Sequence, residues 1–164
     1  MIVWDVTPKP QVKYSSSLMQ YQQHIGAHWR VNLPLGWRRV QTLPSGLTYF
    51  ESSDQRFGLY VAVWEVQDQH RSPDETITEF ARSEIQALDD MPEHVWSHAQ
   101  HITGPGQALT DSFEHARTYR VVSRLVAQLP LVLRACFHDY SCQSLPDSNR
   151  ILEPLLENVM LDTK

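Results

Sequence analysis

Cysteine is nearly missing from this chain of 164 residues, with Cys136 and Cys142 the two present. Two thiols do not make a disulfide scaffold. With no basic, apolar leader at Met1-Ile2-Val3-Trp4-Asp5 they fit a reducing compartment, so the expected location is cytoplasmic. Glycine is scarce as well: six scattered residues form neither a Gly-rich phosphate cradle nor the glycine-flanked serine elbow of a hydrolase. No apolar run approaches the roughly 20 residues of a spanning helix, which excludes membrane insertion by that route. Basic residues are outnumbered, 14 Lys+Arg against 19 Asp+Glu for a net charge of −5. No segment offers the basic stripe that neutralises phosphates, so a nucleic-acid partner is not expected.

What the chain does contain suits one domain. At this length about 70% of the unfolded surface can be buried, so neither metal nor disulfide is needed to fold. Residues 1–13, with Pro8 and Pro10 and little periodicity, read as a loosely held lead-in, and 14–164 as a single globular unit. Charge is uneven. Residues 1–50 carry a net of +4, residues 51–114 a net of −10, and residues 115–164 a net of +1. The acidic middle is either a solvated surface or a lure for a cationic partner.

Periodicity assigns the elements. Tyr14 to Gln23 reads as an edge strand, and Trp29, Val31 and Leu33 alternate with polar residues as a half-buried one. Leu47 to Ser52 follows the turn Pro44-Ser45-Gly46. Gly58 to Val66 is apolar on both faces, with Leu59, Val61 and Val63 on one and Tyr60, Ala62, Trp64 and Val66 on the other, the mark of a central strand covered on both sides. Ser72, Pro73 and Glu75 then form an N-cap, a first-turn proline and a capping-box partner. The helix they open runs to about Asp90. Its apolar stripe is Ile77, Phe80, Ala81, Ile85 and Leu88, with Asp74, Glu79, Glu84 and Asp89 off it. Residues 95–102, 107–113, 116–127 and 131–140 return to a period of two, joined by short turns, and so are antiparallel. The chain closes on Ile151, Leu152, Leu155, Leu156, Val159 and Met160 at helical spacing, with Pro154 marking a start near Arg150 or a kink. The fold class is α+β: an antiparallel sheet of about six to seven strands with amphipathic helices packed on it.

Candidate chemistry is sparse. His94, His98 and His101 would align on a helix and suit zinc, but Trp96 and the Gly104-Pro105-Gly106 turn favour a strand, with His101 on the opposite face. Cys136, His138, Tyr140 and Cys142 share a face of an extended strand. Neighbours on such a face stand ~7 Å apart, two rises of about 3.3 Å, too far to converge on one ion or to pair a thiol with a base. No catalytic group, metal ligand or cofactor site is assigned. Five tryptophans (Trp4, Trp29, Trp37, Trp64, Trp96) are more informative. Trp29 and Trp64 read as core. Trp37 precedes Arg38 and Arg39 and is either a packed lid or part of a docking surface, since Trp and Arg are enriched at binding hot spots.

The segment Trp29-Arg30-Val31-Asn32-Leu33-Pro34-Leu35-Gly36-Trp37, an apolar strand followed by Leu-Pro-x-Gly-Trp, resembles the opening of PsbP-like domains. That fold is shared by the photosystem II extrinsic subunit, a Ran-release factor and bacterial DcrB-like proteins. The order of elements over roughly residues 24–162 is similar to it. The resemblance implies an α/β/α sandwich that binds other proteins and is not an enzyme. Some bacterial DcrB-like members are cytoplasmic chaperones for apolar segments of type VI secretion effectors, often dimers, so a homodimer is implied as well. No motif carries a family site residue by residue.

The expected function is therefore a non-catalytic bacterial module binding another protein, a secreted effector or toxin, as a secretion-associated chaperone or adaptor. An immunity-type inhibitor presenting acids from Asp54, Glu65, Asp68, Glu75 and Glu79 is the alternative, with Trp37, Arg38 and Arg39 as further contact candidates. A small metal-dependent enzyme using His94, His98, Cys136 or His138 is a third reading. A carrier with a ligand pocket between sheet and helix is the fourth.

Overall fold

The computed structural model describes residues 19–68 and 70–164, and these form ten strands and two helices. In chain order they are β1 (Tyr21–Ile25), β2 (Trp29–Pro34), β3 (Arg38–Thr42), β4 (Thr48–Glu51), β5 (Phe57–Glu65), α1 (Pro73–Asp89), β6 (Trp96–Gly104), β7 (Gln107–Glu114), β8 (Tyr119–Gln128), β9 (Leu131–Asp139), α2 (Leu145–Glu157) and β10 (Val159–Leu161). Seven strands make one antiparallel sheet in the order β3-β4-β5-β9-β8-β7-β6, and β1-β2-β10 make a second, also antiparallel. The architecture is α+β with a seven-stranded main sheet.

The two faces of the main sheet bury different things. One face of β4, β5, β8 and β9 presents Phe50, Leu59, Val61, Val122, Leu133, Ala135 and Phe137. These pack against Trp29, Val31 and Leu33 of β2, Leu152, Leu155 and Leu156 of α2, and Val159 of β10. The other face receives α1 over β7 and β8, with Ile77 and Ala81 on Ala108, Leu125, Ala127 and Val132, and Leu88 beside Trp96, Val121 and Cys136. Alternation in β5 thus feeds two cores from one strand, as its two apolar sets require.

Helix α1 starts as its sequence dictates. Ser72 accepts from the backbone N–H of Glu75, whose carboxylate accepts from the backbone N–H of Ser72, and Pro73 follows the cap. Glu84 departs from expectation: it lies on the buried, sheet-facing side, because ion-pair and hydroxyl partners on β7, β8 and β9 receive it.

Several boundaries differ from the sequence reading. Among the described residues the first strand is β1, which runs past the expected end at Gln23 to Ile25, while residues 14–18 and the 1–13 lead-in lie outside the described residues. Strand β3 was not expected. All five of its residues are exposed on a sheet edge, so no apolar alternation announces it. Residues 116–118 turn before β8 begins at Tyr119. Helix α2 starts at Leu145, capped by Ser144, and carries Pro154 on its exposed side. Val159 and Met160 are not helical: they pair with Val31 and Arg30 in β10. Arg124 closes the helix end by donating through Nη1 to the carbonyls of Leu156 (2.6 Å) and Val159 (2.8 Å).

Candidate functional site

The helices cover the main sheet unevenly. α1 lies over β6, β7 and β8, so the same face of β4 and β5 and part of β9 is left open. Trp64, read from the sequence as core, stands on this open half with 41% of its surface exposed. Its indole meets the flank of α1 at Phe80, with ring centroids 5.6 Å apart. The strand predicted to be covered on both sides is covered on this side only in part.

Cross-strand register builds an aromatic wall there. Tyr49 of β4 lies opposite Tyr60 of β5 and stacks on it at 4.4 Å. Tyr60 meets His138 of β9 edge-on at 5.1 Å. His138, Tyr119 and Tyr140 stack pairwise at 5.6–5.8 Å. Gly58 allows the wall to close: a Cβ at that position would stand 2.8 Å from the Tyr140 hydroxyl and 2.8 Å from Tyr49 Cε2. Between this wall and α1 lies a cavity of about 320 Å³, bordered by Trp64, Phe80, Leu88, Met91, Tyr119 and His138.

The cavity floor is polar but internally compensated. Arg134 donates through Nε (2.9 Å) and Nη2 (2.6 Å) to Glu84 Oε1. The Ser123 hydroxyl donates to the same oxygen, and the Thr110 hydroxyl to Oε2 at 3.4 Å. A buried pair so satisfied carries little net field.

Beside it runs a chain of titratable groups that the sequence reading held apart. Tyr119 Oη is 2.5 Å from His138 Nδ1, and His138 Nε2 is 3.3 Å from Cys136 Sγ. Cα spacing along a strand overstates the gap, because side chains two apart on one face lean along the strand. Burial, aided by the Arg134 charge, brings the His138 imidazole down to about 4. Burial pushes the Cys136 thiol up to about 11 and holds the Tyr119 phenol above its ordinary range. Either tautomer of His138 leaves this chain uncharged at neutral pH. A thiol without thiolate character is an inert core group.

The other candidates are dispersed. Trp37 is buried and stacks on Phe57 with centroids 6.4 Å apart, while Arg38 pairs with Glu51 at 2.9 Å. Arg39 lies over the rings of Trp29 and Phe50 and donates to the Ile25 carbonyl at 3.1 Å. These three do not form one surface. Asp54 accepts from the Ser52 hydroxyl (2.6 Å) and the Arg56 N–H (3.1 Å) in the β4–β5 turn, bonds that lower its pKa. Glu65 is at the opposite end of β5. Asp68 and Glu79 converge on Arg71, and Glu75 is engaged in the α1 cap.

The histidines also part company. His94 meets Arg117 at 3.0 Å, His98 bridges Asp89 and Ser112 at 2.8 Å each, and His101 is exposed. Cys142 lies past β9 beside Ser148 of α2 and the Arg56–Asp139 pair, away from Cys136. Among the described residues no three His, Cys, Asp or Glu side chains converge as a metal site would need, and no helix is long and apolar enough to cross a membrane. The aromatic wall escaped the sequence reading because its members come from four segments. Tyr60 and Trp64 on one face of β5 were the available signal.

No protein-family model and no curated protein sequence matches the chain. Solved structures do. The solution structure of cyanobacterial PsbP (CyanoP) from Synechocystis sp. PCC 6803 is similar with a TM-score of 0.61 and 9% identity, over 90% of this chain and 95% of that one. A crystal structure from Bacteroides thetaiotaomicron VPI-5482 is similar with a TM-score of 0.55 and 12% identity, over 89% of this chain and 49% of that one. The protein has a PsbP-like fold, as the Trp29–Trp37 resemblance implied.

Proposed function

We propose that this chain is a non-catalytic protein-binding module that takes up a segment of another protein, led by a bulky uncharged side chain, on the open half of the α1-side face. The observation that carries this reading is the exposed Trp64 beside the 320 Å³ cavity between α1 and the aromatic wall. Exposed aromatic surface next to a formed cavity is the usual anchor of a protein contact. The floor charges of Glu84 and Arg134 neutralise each other, so a charged anchor gains nothing there, whereas an aromatic or aliphatic one displaces water from apolar walls.

In its finer form the reading is a bacterial cytoplasmic secretion-associated chaperone or adaptor, of the kind that shields apolar segments of type VI effectors. The immunity-type alternative has less support, since Asp68 and Glu79 are spent on Arg71 and Asp54 lies at the far end of β5 from Glu65. The small metal-dependent enzyme reading has less support as well, because His94, His98 and His138 are engaged by different partners and burial keeps Cys136 a thiol.

Affinity capture from host lysate tests the proposal, comparing the tagged protein with its Trp64→Arg variant at equal folded concentration. One stoichiometric protein retained by the parent and lost by the variant is expected. Retention of the same protein by both, or of none, overturns the reading.

A further inference from the structure

Val63 and Trp64 are neighbours in β5 and so point to opposite faces of the main sheet. Val63 borders a cavity of about 350 Å³ that the Trp64 side does not share. The loop Gly26–His28 between β1 and β2 and the turn Ser45–Gly46 between β3 and β4 enclose it, together with Trp29 and Arg39. Among the described residues no acidic side chain borders it. Residues 19–50 carry Arg30, Arg38 and Arg39 and no Asp or Glu. Glu51 takes Arg38 at 2.9 Å, and among the described residues no carboxylate pairs with Arg39. Arg39 is nonetheless fixed. Its guanidinium carbon stands 5.7 Å from the Trp29 ring centroid and 5.4 Å from that of Phe50, and Nη2 donates to the Ile25 carbonyl at 3.1 Å. A carbonyl holds the group without cancelling its charge, and most of its fork of N–H donors is unspent.

Acceptors around the cavity are, by contrast, occupied. The His28 carbonyl accepts from the Asp162 N–H at 2.7 Å and the Trp29 carbonyl from the Gly26 N–H at 2.8 Å. The Gly46 carbonyl accepts from the Thr48 hydroxyl at 3.2 Å, so the Thr42–Thr48 contact at 3.3 Å uses the proton of Thr42. What is left is an anchored, uncompensated cation beside the apolar surfaces of Trp29 and Val63. We propose that this cavity binds a small organic acid, its carboxylate or phosphate held by the Arg39 guanidinium and its apolar part lying against Trp29 and Val63. A guanidinium fork matches both anions with paired hydrogen bonds. The volume falls within the roughly 300–1,000 Å³ of small-ligand pockets. The site is independent of the Trp64 face.

The test follows the Trp29 indole N–H resonance by NMR while benzoate, phenyl phosphate or the uncharged benzamide is titrated in. Benzoate or phenyl phosphate is expected to move it saturably and benzamide to leave it in place, the tighter of the two acids naming the anion. Arg39→Gln is expected to weaken binding about tenfold or more, with circular dichroism unchanged. Arg39→Lys keeps a cation but loses the fork, and falls between the parent and Arg39→Gln. Arg38→Gln and Trp64→Arg bind as the parent does. No saturable movement with either acid up to about 10 mM overturns the proposal. So does an equal response to benzamide, binding that survives Arg39→Gln, or binding that is lost in Trp64→Arg.

Discussion

Two side chains, Glu84 and His138, decide the character of the candidate site. Glu84 gathers Arg134, Ser123 and Thr110 from three strands onto one carboxylate. Glu84→Ala strands a partly buried guanidinium that still reaches some solvent, so an unfolding free energy lower by about 2–3 kcal/mol is expected in urea titrations. A loss below about 0.5 kcal/mol would show that the cluster is not structural. His138 gives a pH signature. Its folded pKa of about 4 lies below the ordinary value of about 6.5, so the unfolded chain takes up the proton first as pH falls. Its contribution is complete above about pH 6.5 and is lost progressively toward pH 4. Between pH 7 and pH 5 that amounts to about 2 kcal/mol. Denaturant titrations of His138→Gln at the two pH values should show a pH-dependent difference smaller by that amount. None of this was visible in the sequence, where Glu84 fell off the apolar stripe and His138 was two residues from a cysteine it was not expected to touch.

Among the elements, α1 was the most legible, because local chemistry writes its start. Ser72, Pro73 and Glu75 act within one turn, and Ser72→Ala should lower stability by about 1 kcal/mol, measured by thermal or chemical unfolding. An unchanged midpoint would mean that water replaces the cap without cost. The end of α2 was illegible for the opposite reason. Val159 and Met160 continue a helical spacing, yet β2 offers them a ladder at Val31 and Arg30, at the other end of the described chain, and Arg124 from β8 satisfies the carbonyls that the helix leaves behind. Strand β3 was hidden because a fully exposed edge imposes no polarity pattern.

At the scale of the whole molecule, the uneven coverage of the main sheet is what separates core from candidate surface. Phe50 and Trp64 are both strand aromatics, but Phe50 is sealed beneath the small sheet whereas Trp64 projects beyond the flank of α1. Phe50→Ala should cost about 3–5 kcal/mol, while Trp64→Ala should cost less than about 1 kcal/mol and lose partner capture instead. Equal destabilisation by the two would place Trp64 in the core and remove the basis of the docking proposal.

The sequence by itself determined the α+β class, the central place of Gly58–Val66, the capped helix after it and the strand meander that follows. Each of these rests on periodicity or on capping within a few residues, where neighbours in sequence are neighbours in space. Only the tertiary structure decided which half of its sheet face α1 leaves open, which acids are neutralised and which aromatics stack into a wall. Those outcomes depend on register between strands far apart in the chain, and a two-residue period carries no information about what will lie across from it.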